Sequence, residues 1–221
     1  MSRWEIRIAT AIGSLLVGFT QPVATAAEQP GLATVVLQTL PVKGRAPKTG
    51  YSRDQFGQAW ADVDRNGCDT RNDILKRDLS AIIYKSGTRN CVVLSGTLLD
   101  RYSGESINFF RGNITSMEVQ IDHVVALSNA WQTGAFKLTV EQRTALANDP
   151  LNLFAVKGSL NQQKSDGDAA TWLPPLKSFR CAYVAQQIAV KAKYSLWVVP
   201  PEKAAMVAIL SKCPTQKVPV S

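Results

Sequence analysis

Four cysteines stand in this chain, Cys68, Cys91, Cys181 and Cys213, and all lie beyond an N-terminal segment with the marks of an export signal. Arg3 and Arg7 outweigh Glu5, an apolar run follows from Ile8 to Thr20, and Ala24-Thr25-Ala26 has the small-x-small pattern of a signal-peptidase site. An apolar run of about 13 residues is too short to cross a ~30 Å hydrocarbon core. Residues 1–26 therefore read as a cleaved signal peptide, and the mature, secreted chain is expected to carry no membrane anchor. An even number of cysteines in a chain sent to an oxidising compartment points to two disulfides. No C-x-x-C pair occurs and the chain has a single histidine, so a structural zinc would need all four sulfurs. Of the three possible connectivities, the expected one closes the short loops, Cys68 to Cys91 and Cys181 to Cys213, because each bridge then staples one local region.

A length of 221 residues suits one domain with appendages. The expected layout is an extended arm over 27–50, a domain over 51–213 and a tail over 214–221, acting as a monomer. Of the 25 basic and 17 acidic residues only Arg3, Arg7 and Glu5 fall in the signal, so the mature protein stays basic. A positive surface attracts polyanions through counterion release, which makes nucleic acid or an anionic envelope polymer the natural partner.

The arm is rich in proline and glycine around a short apolar run, Val35-Val36-Leu37. Ser52 and Gln55 form a capping-box pair ahead of Phe56 and Trp60, four apart, which predicts a short helix; a second is predicted over Asn72–Tyr84 from the spacing of Ile74, Leu75, Leu79, Ile82 and Ile83. Cys91–Leu99 and Ser106–Phe110 read as paired strands around an Asp100–Gly104 turn, and Val119–Leu127 as a further strand. Short helices are predicted at Ser128–Gly134 and Val140–Asn148. Asn152–Val156 reads as a strand entering a turn and a helix at Leu160–Lys164, and two longer helices follow near Phe179–Tyr194 and Pro201–Lys212. Asp62-Val63-Asp64-Arg65-Asn66-Gly67 copies the start of a calcium loop, but Asp69 and Asp73 stand where an EF-hand needs an apolar residue and a glutamate. That stretch reads as a turn into Cys68.

His123 is the sole histidine, so any histidine-dependent chemistry must use it. Strand alternation would place Asp122 and His123 on opposite faces unless the strand stops or bulges there. An isolated Asp-His pair would be read as a histidine bonded within a sheet, but the downstream residues weigh against that. Asn152 and Asn161 are separated by a strand-like segment and a turn, and Lys164 follows one helical turn later. In that order the residues resemble the ββα-metal, or HNH, nuclease fingerprint in its His-Asn-Asn variant. Arg71 and Lys164 are candidate phosphate clamps. Trp131 and Trp172 read as packing residues rather than platforms for bases.

The resemblance extends to Tyr51-Ser52-Arg53-Asp54-Gln55-Phe56-Gly57, Asn66–Leu75, Ile121–Leu127, Asn148–Leu153 and Asp166–Pro175. From about Leu37 to Cys213 the chain is similar to secreted bacterial HNH (His-Me finger) endonucleases related to the C-terminal nuclease domain of GmrSD-type restriction enzymes. The resemblance implies an α+β fold with a ββα-metal core embedded in a mixed domain, with flanking helices and two disulfides. It implies that His123 activates water, that Asp122 and Asn161 ligate one divalent metal, and that Asn152 orients the loop or the histidine. An oxygen-rich site suits Mg²⁺, with Mn²⁺ as the alternative ion. Many HNH enzymes carry a second histidine where this chain has Asn161, and its absence weakens any case for zinc. The expected function is metal-dependent hydrolysis of phosphodiester bonds, in DNA before RNA and with little sequence preference. The alternative is a catalytically silent secreted protein that binds DNA or another polyanion on the same fold. No glutamate pair or zinc-ligand cluster supports a hydrolase of another bond.

Overall fold

Ala33 and Leu37, one helical turn apart, begin the fold by burying one face of α1 (Ala33–Thr39) in the computed structural model, which describes residue 1, residues 31–112 and residues 115–220. Apart from Met1, the signal peptide expected over 1–26 lies outside the described residues. The arm expected to be extended over 27–50 is helical in its middle, because Ala33, Leu37 and Leu40 find apolar partners in the largest core cluster. Leu32 bridges to Lys217 and Val42 to Val198, so arm and tail close on each other and on the domain.

The helix expected after Ser52 is a single 3-10 turn, Arg53–Phe56, ended by Gly57 in the left-handed region at φ 72°. No capping box forms there; the Gln55 side-chain oxygen accepts the Arg143 guanidinium at 3.4 Å instead. Asp62 and Asp64 accept the backbone N–H groups of Asn66 and Gly67, which makes the acidic stretch a tight turn. Asp69 then accepts the Asn72 N–H at 2.8 Å and caps α2 (Thr70–Asp78). This helix stops six residues short of its expected end. Leu79–Tyr84, with its β-branched Ile82 and Ile83, becomes β1 and pairs with β2 (Val93–Leu99), which pairs in turn with β3 (Ser106–Phe110). The result is a three-stranded antiparallel sheet in the order β1-β2-β3.

A second sheet has two strands. β4 (Val119–His123) ends at His123 rather than Leu127 and pairs antiparallel with β5 (Leu153–Lys157), in a register that sets Asp122 opposite Phe154 and His123 opposite Leu153. Between them run α3 (Leu127–Gln132) and α4 (Val140–Asn148), the latter held by a Thr139–Gln142 capping box. β5 passes directly into α5 (Gly158–Lys164). Two longer helices, α6 (Arg180–Lys193) and α7 (Pro200–Leu210), complete the α+β domain. Among the described residues no helix is long and apolar enough to cross a membrane.

The disulfides join Cys68 to Cys91 and Cys181 to Cys213. The first ties the approach to α2 to the approach to β2; the second ties the start of α6 to the end of α7. Three buried clusters underlie the fold. One packs α1, α6 and α7 around Tyr102 and Tyr183, the second packs Phe56 and Trp131 between α3 and α4, and the third lies between the two sheets.

Candidate active site

His123 closes β4, and its imidazole is 8% exposed. Its Nε2 lies 2.9 Å from the carbonyl oxygen of Ala147 on α4. A carbonyl only accepts, so Nε2 must carry the proton and the neutral ring keeps its lone pair on Nδ1. Burial pushes the imidazole pKa down to about 3, with the nearby Arg53 and Lys164 charges acting in the same direction and the Ala147 bond opposing them. The Trp60 indole lies nearly parallel to the ring, at 15° and 6.0 Å between centroids.

Asn152 is fully buried behind the histidine. Its Oδ1 accepts the Val125 N–H at 2.8 Å, its Nδ2 donates to the Val125 and Leu146 carbonyls, and its own carbonyl accepts the Val124 N–H. The side chain thus clips the loop leaving His123 to the end of α4.

Asp122 follows the strand alternation onto the other face. Its Oδ2 accepts the Tyr102 hydroxyl at 2.5 Å and its Oδ1 accepts the Lys164 ammonium at 2.9 Å. Burial pushes this carboxyl above its ordinary value, and Lys164 and Tyr102 pull it back. Lys164 also donates to the His123 carbonyl at 2.8 Å, and its side chain is wholly buried. That placement corrects the expectation of a phosphate clamp at Lys164, since a lysine closed in beneath β4 cannot reach a surface phosphate.

Asn161, on α5, donates its Nδ2 to Gln120 Oε1 at 2.9 Å, which leaves its own carbonyl oxygen available. Asp122, His123, Asn161 and Gln120 share the wall of one cavity of about 470 Å³ with Ser128 and Asp166. A smaller cavity of about 260 Å³ opens on the Trp60 side of the imidazole. Arg53 and His123 belong to the walls of both.

Arg71, in the first turn of α2, lines neither cavity; it is half-buried, and burial together with Arg111 pushes its pKa down. A cation that lines both cavities beside the histidine is Arg53, which lies in a segment read for its helical spacing and its family resemblance but not as a candidate site. Tyr102 and Gln120 were equally invisible, one inside a turn and one inside a strand, because only the folded chain brings them to Asp122 and Asn161. Trp131 and Trp172 pack against other aromatic rings.

The donors around the larger cavity are oxygens. Among the described residues no cluster of three or more histidine, cysteine, aspartate or glutamate side chains could hold a metal. An ionised carboxylate offers about four acceptor positions, of which Asp122 engages one with Tyr102 and one with Lys164. One partly free carboxylate flanked by the Asn161 and Gln120 amides is a donor set that fits a hard divalent cation keeping several of its waters.

Residues 69–209 match the family model described as GmrSD restriction endonucleases, C-terminal domain. A relative from Arthroderma benhamiae, described as an uncharacterized secreted protein, is 37% identical over 196 residues, covering 87% of this chain and 91% of that protein. No solved structure matches the chain.

Proposed function

Because the chain belongs to the family of the C-terminal domain of GmrSD restriction endonucleases, we propose that it is a secreted, metal-dependent endonuclease of the HNH (His-Me finger) type that hydrolyses phosphodiester bonds. The observation that carries this reading is the bond from His123 Nε2 to Ala147, which leaves an unprotonated Nδ1 lone pair on a ring shared by two cavities. The unit β4, insertion, β5, α5 has the element order of a ββα-metal finger, with His123 ending the first strand and Asn161 on the helix. The two disulfides and the secreted relative support an extracellular location.

His123 Nδ1 accepts a proton from a water molecule as the water oxygen bonds to phosphorus, and the opposite P–O ester bond breaks. The departing oxygen takes its proton from solvent. Arg53 holds phosphate oxygens at the junction of the cavities. Asn152 keeps the histidine loop in register, and Tyr102 and Lys164 hold the Asp122 carboxylate against β4. A divalent ion, Mg²⁺ or Mn²⁺, held by Asp122 and Asn161 would supply charge neutralisation at the phosphate and at the leaving oxygen. The net positive charge favours a polyanionic substrate without demanding a base sequence, which fits DNA cleaved with little sequence preference.

The test is plasmid degradation by the mature protein with Mg²⁺, with Mn²⁺ and with chelator, beside His123→Ala. Cleavage that requires the ion and falls by about 10²–10⁴ in the variant is expected. Binding without cleavage under every ion would leave the silent polyanion-binding alternative. A loss smaller than about tenfold in His123→Ala would remove the histidine from its role.

A further inference from the structure

The cavity on the Trp60 side of His123 differs in chemistry from the oxygen-rich one. Phe56, Ala59, Leu127 and Ala147 give it an apolar side, Asp54 and Gln58 add polar groups, and Arg53 stands at its junction with the larger cavity. At about 260 Å³ it falls just below the ~300–1,000 Å³ of ordinary ligand clefts, room for one flat ring system and too little for a base pair. Its shape is held by the backbone. Gly57 lies so close to α4 that a Cβ there would sit 2.1 Å from Thr144 Oγ1. Trp60 adopts a left-handed φ of 59°, a conformation that a bulky residue keeps only when its surroundings impose it. Asn148, 1% exposed in the same wall, donates Nδ2 to the Thr144 and Gln58 carbonyls, while its Oδ1 is a buried acceptor with no partner. A partly apolar slot with an aromatic side, the polar Asp54 and Gln58 in its wall and a cation at its junction with the larger cavity, on the flank of the histidine, suits a nucleobase, which has both a flat ring face and polar edges.

We propose that this cavity is a nucleobase subsite, in which the base adjoining the scissile phosphate packs against Trp60 while the phosphate lies at Arg53 and His123. The proposal rests on the endonuclease reading and adds a substrate class to it. A base stacked inside a duplex cannot enter such a slot without being unpaired, so the enzyme cuts single-stranded or locally unpaired nucleic acid in preference to intact duplex.

The experiment uses the mature protein with Mg²⁺, a short single-stranded DNA whose cut position has been mapped, its duplex, and a set of strands with one abasic site walked across the cut. For the wild type, kcat/KM should be at least about tenfold higher on the single strand than on the duplex, and an abasic site at one position beside the cut should raise KM by roughly fivefold or more. Trp60→Ala should show a loss of similar size on the intact strand and a much smaller one on the strand lacking that base, while Trp60→Phe keeps most of the affinity. Equal losses on intact and abasic strands would mean that Trp60 merely shapes His123, and would overturn the subsite. Efficient wild-type cleavage with no strand preference and no abasic effect would overturn it while leaving the endonuclease standing. No cleavage of any substrate would overturn the endonuclease reading and the subsite with it. The wild-type comparison decides the matter even if Trp60→Ala does not fold.

Discussion

Lys164 and Asp122 form a buried ion pair, 2.9 Å from Nζ to Oδ1, that ties the last turn of α5 to β4 across 42 residues of sequence. Lys164 is wholly buried and Asp122 nearly so. Removing one partner of such a pair strands the other charge and costs about 3–5 kcal/mol, whereas replacing both is far milder. Lys164→Met should therefore lose stability on that scale in urea unfolding, and Asp122→Asn combined with Lys164→Met should lose less than the two single changes added together. A Lys164→Met protein as stable as wild type would show that the pair contributes nothing to the fold.

The depressed pKa of His123 sets the pH behaviour. A general base works unprotonated, so its limb in kcat/KM rises through its own free-enzyme pKa. With that value near 3, the imidazole is neutral throughout the range of about pH 5 to 8, and no activity limb near 6.5 should come from it. The linkage has a matching sign. An unfolded imidazole binds a proton below about pH 6.5 that the folded one refuses, so the wild type should lose stability relative to His123→Gln as pH falls from 6.5 toward 3. Single-turnover rates and urea midpoints across pH check both; a half-loss of rate near pH 6.5 would contradict the buried, carbonyl-bound ring.

The parts of the fold that local patterning dictates were readable in the chain. α4 runs from Val140 to Asn148 as expected, with a Thr139–Gln142 capping box at its start, and β2 and β3 flank the Asp100–Gly104 turn. Local pattern fails where a distant partner decides. α2 ends at Asp78, whose carboxylate accepts the Ala155 N–H and pairs with Arg77 and Arg101, while apolar Leu79–Tyr84 could have continued a helix as well as begun a strand. The site divides in the same way. The order of Asp122, His123, Asn152 and Asn161 is a sequence property, but that Lys164 turns inward and Arg53 comes to the histidine depends on contacts made across more than 40 residues.

Arg53 and Arg71 should therefore separate in substrate binding. Arg53 lies on both cavities beside His123, and Arg71 on neither. Each phosphate contact contributes roughly one unit to the slope of log K against log salt. Arg53→Ala should lower that slope by about 1 and raise KM, whereas Arg71→Ala should leave both near wild type. Fluorescence anisotropy with a labelled oligonucleotide across a salt series gives the slopes, and the reverse pattern would restore Arg71 as the clamp.

Gly158, the first residue of α5, has no room for a side chain. A Cβ there would sit 1.9 Å from the Met117 carbonyl oxygen, a backbone atom just ahead of β4, and the Gly158 N–H donates to the Glu118 carbonyl at 2.9 Å, so neither side can give without breaking the join. Gly158→Ala must displace the start of α5 from β4. Overpacking of this kind typically costs about 1–3 kcal/mol. The effect on activity should be larger than that cost suggests, because α5 carries both Asn161, which faces Gln120, and Lys164, which holds Asp122. At a temperature where the variant is still folded by circular dichroism, its cleavage rate should be down by at least tenfold. Ser159→Ala, one position along and exposed, should change neither stability nor rate. Full activity in a folded Gly158→Ala protein would mean that the placement of α5 against β4 does not govern the chemistry.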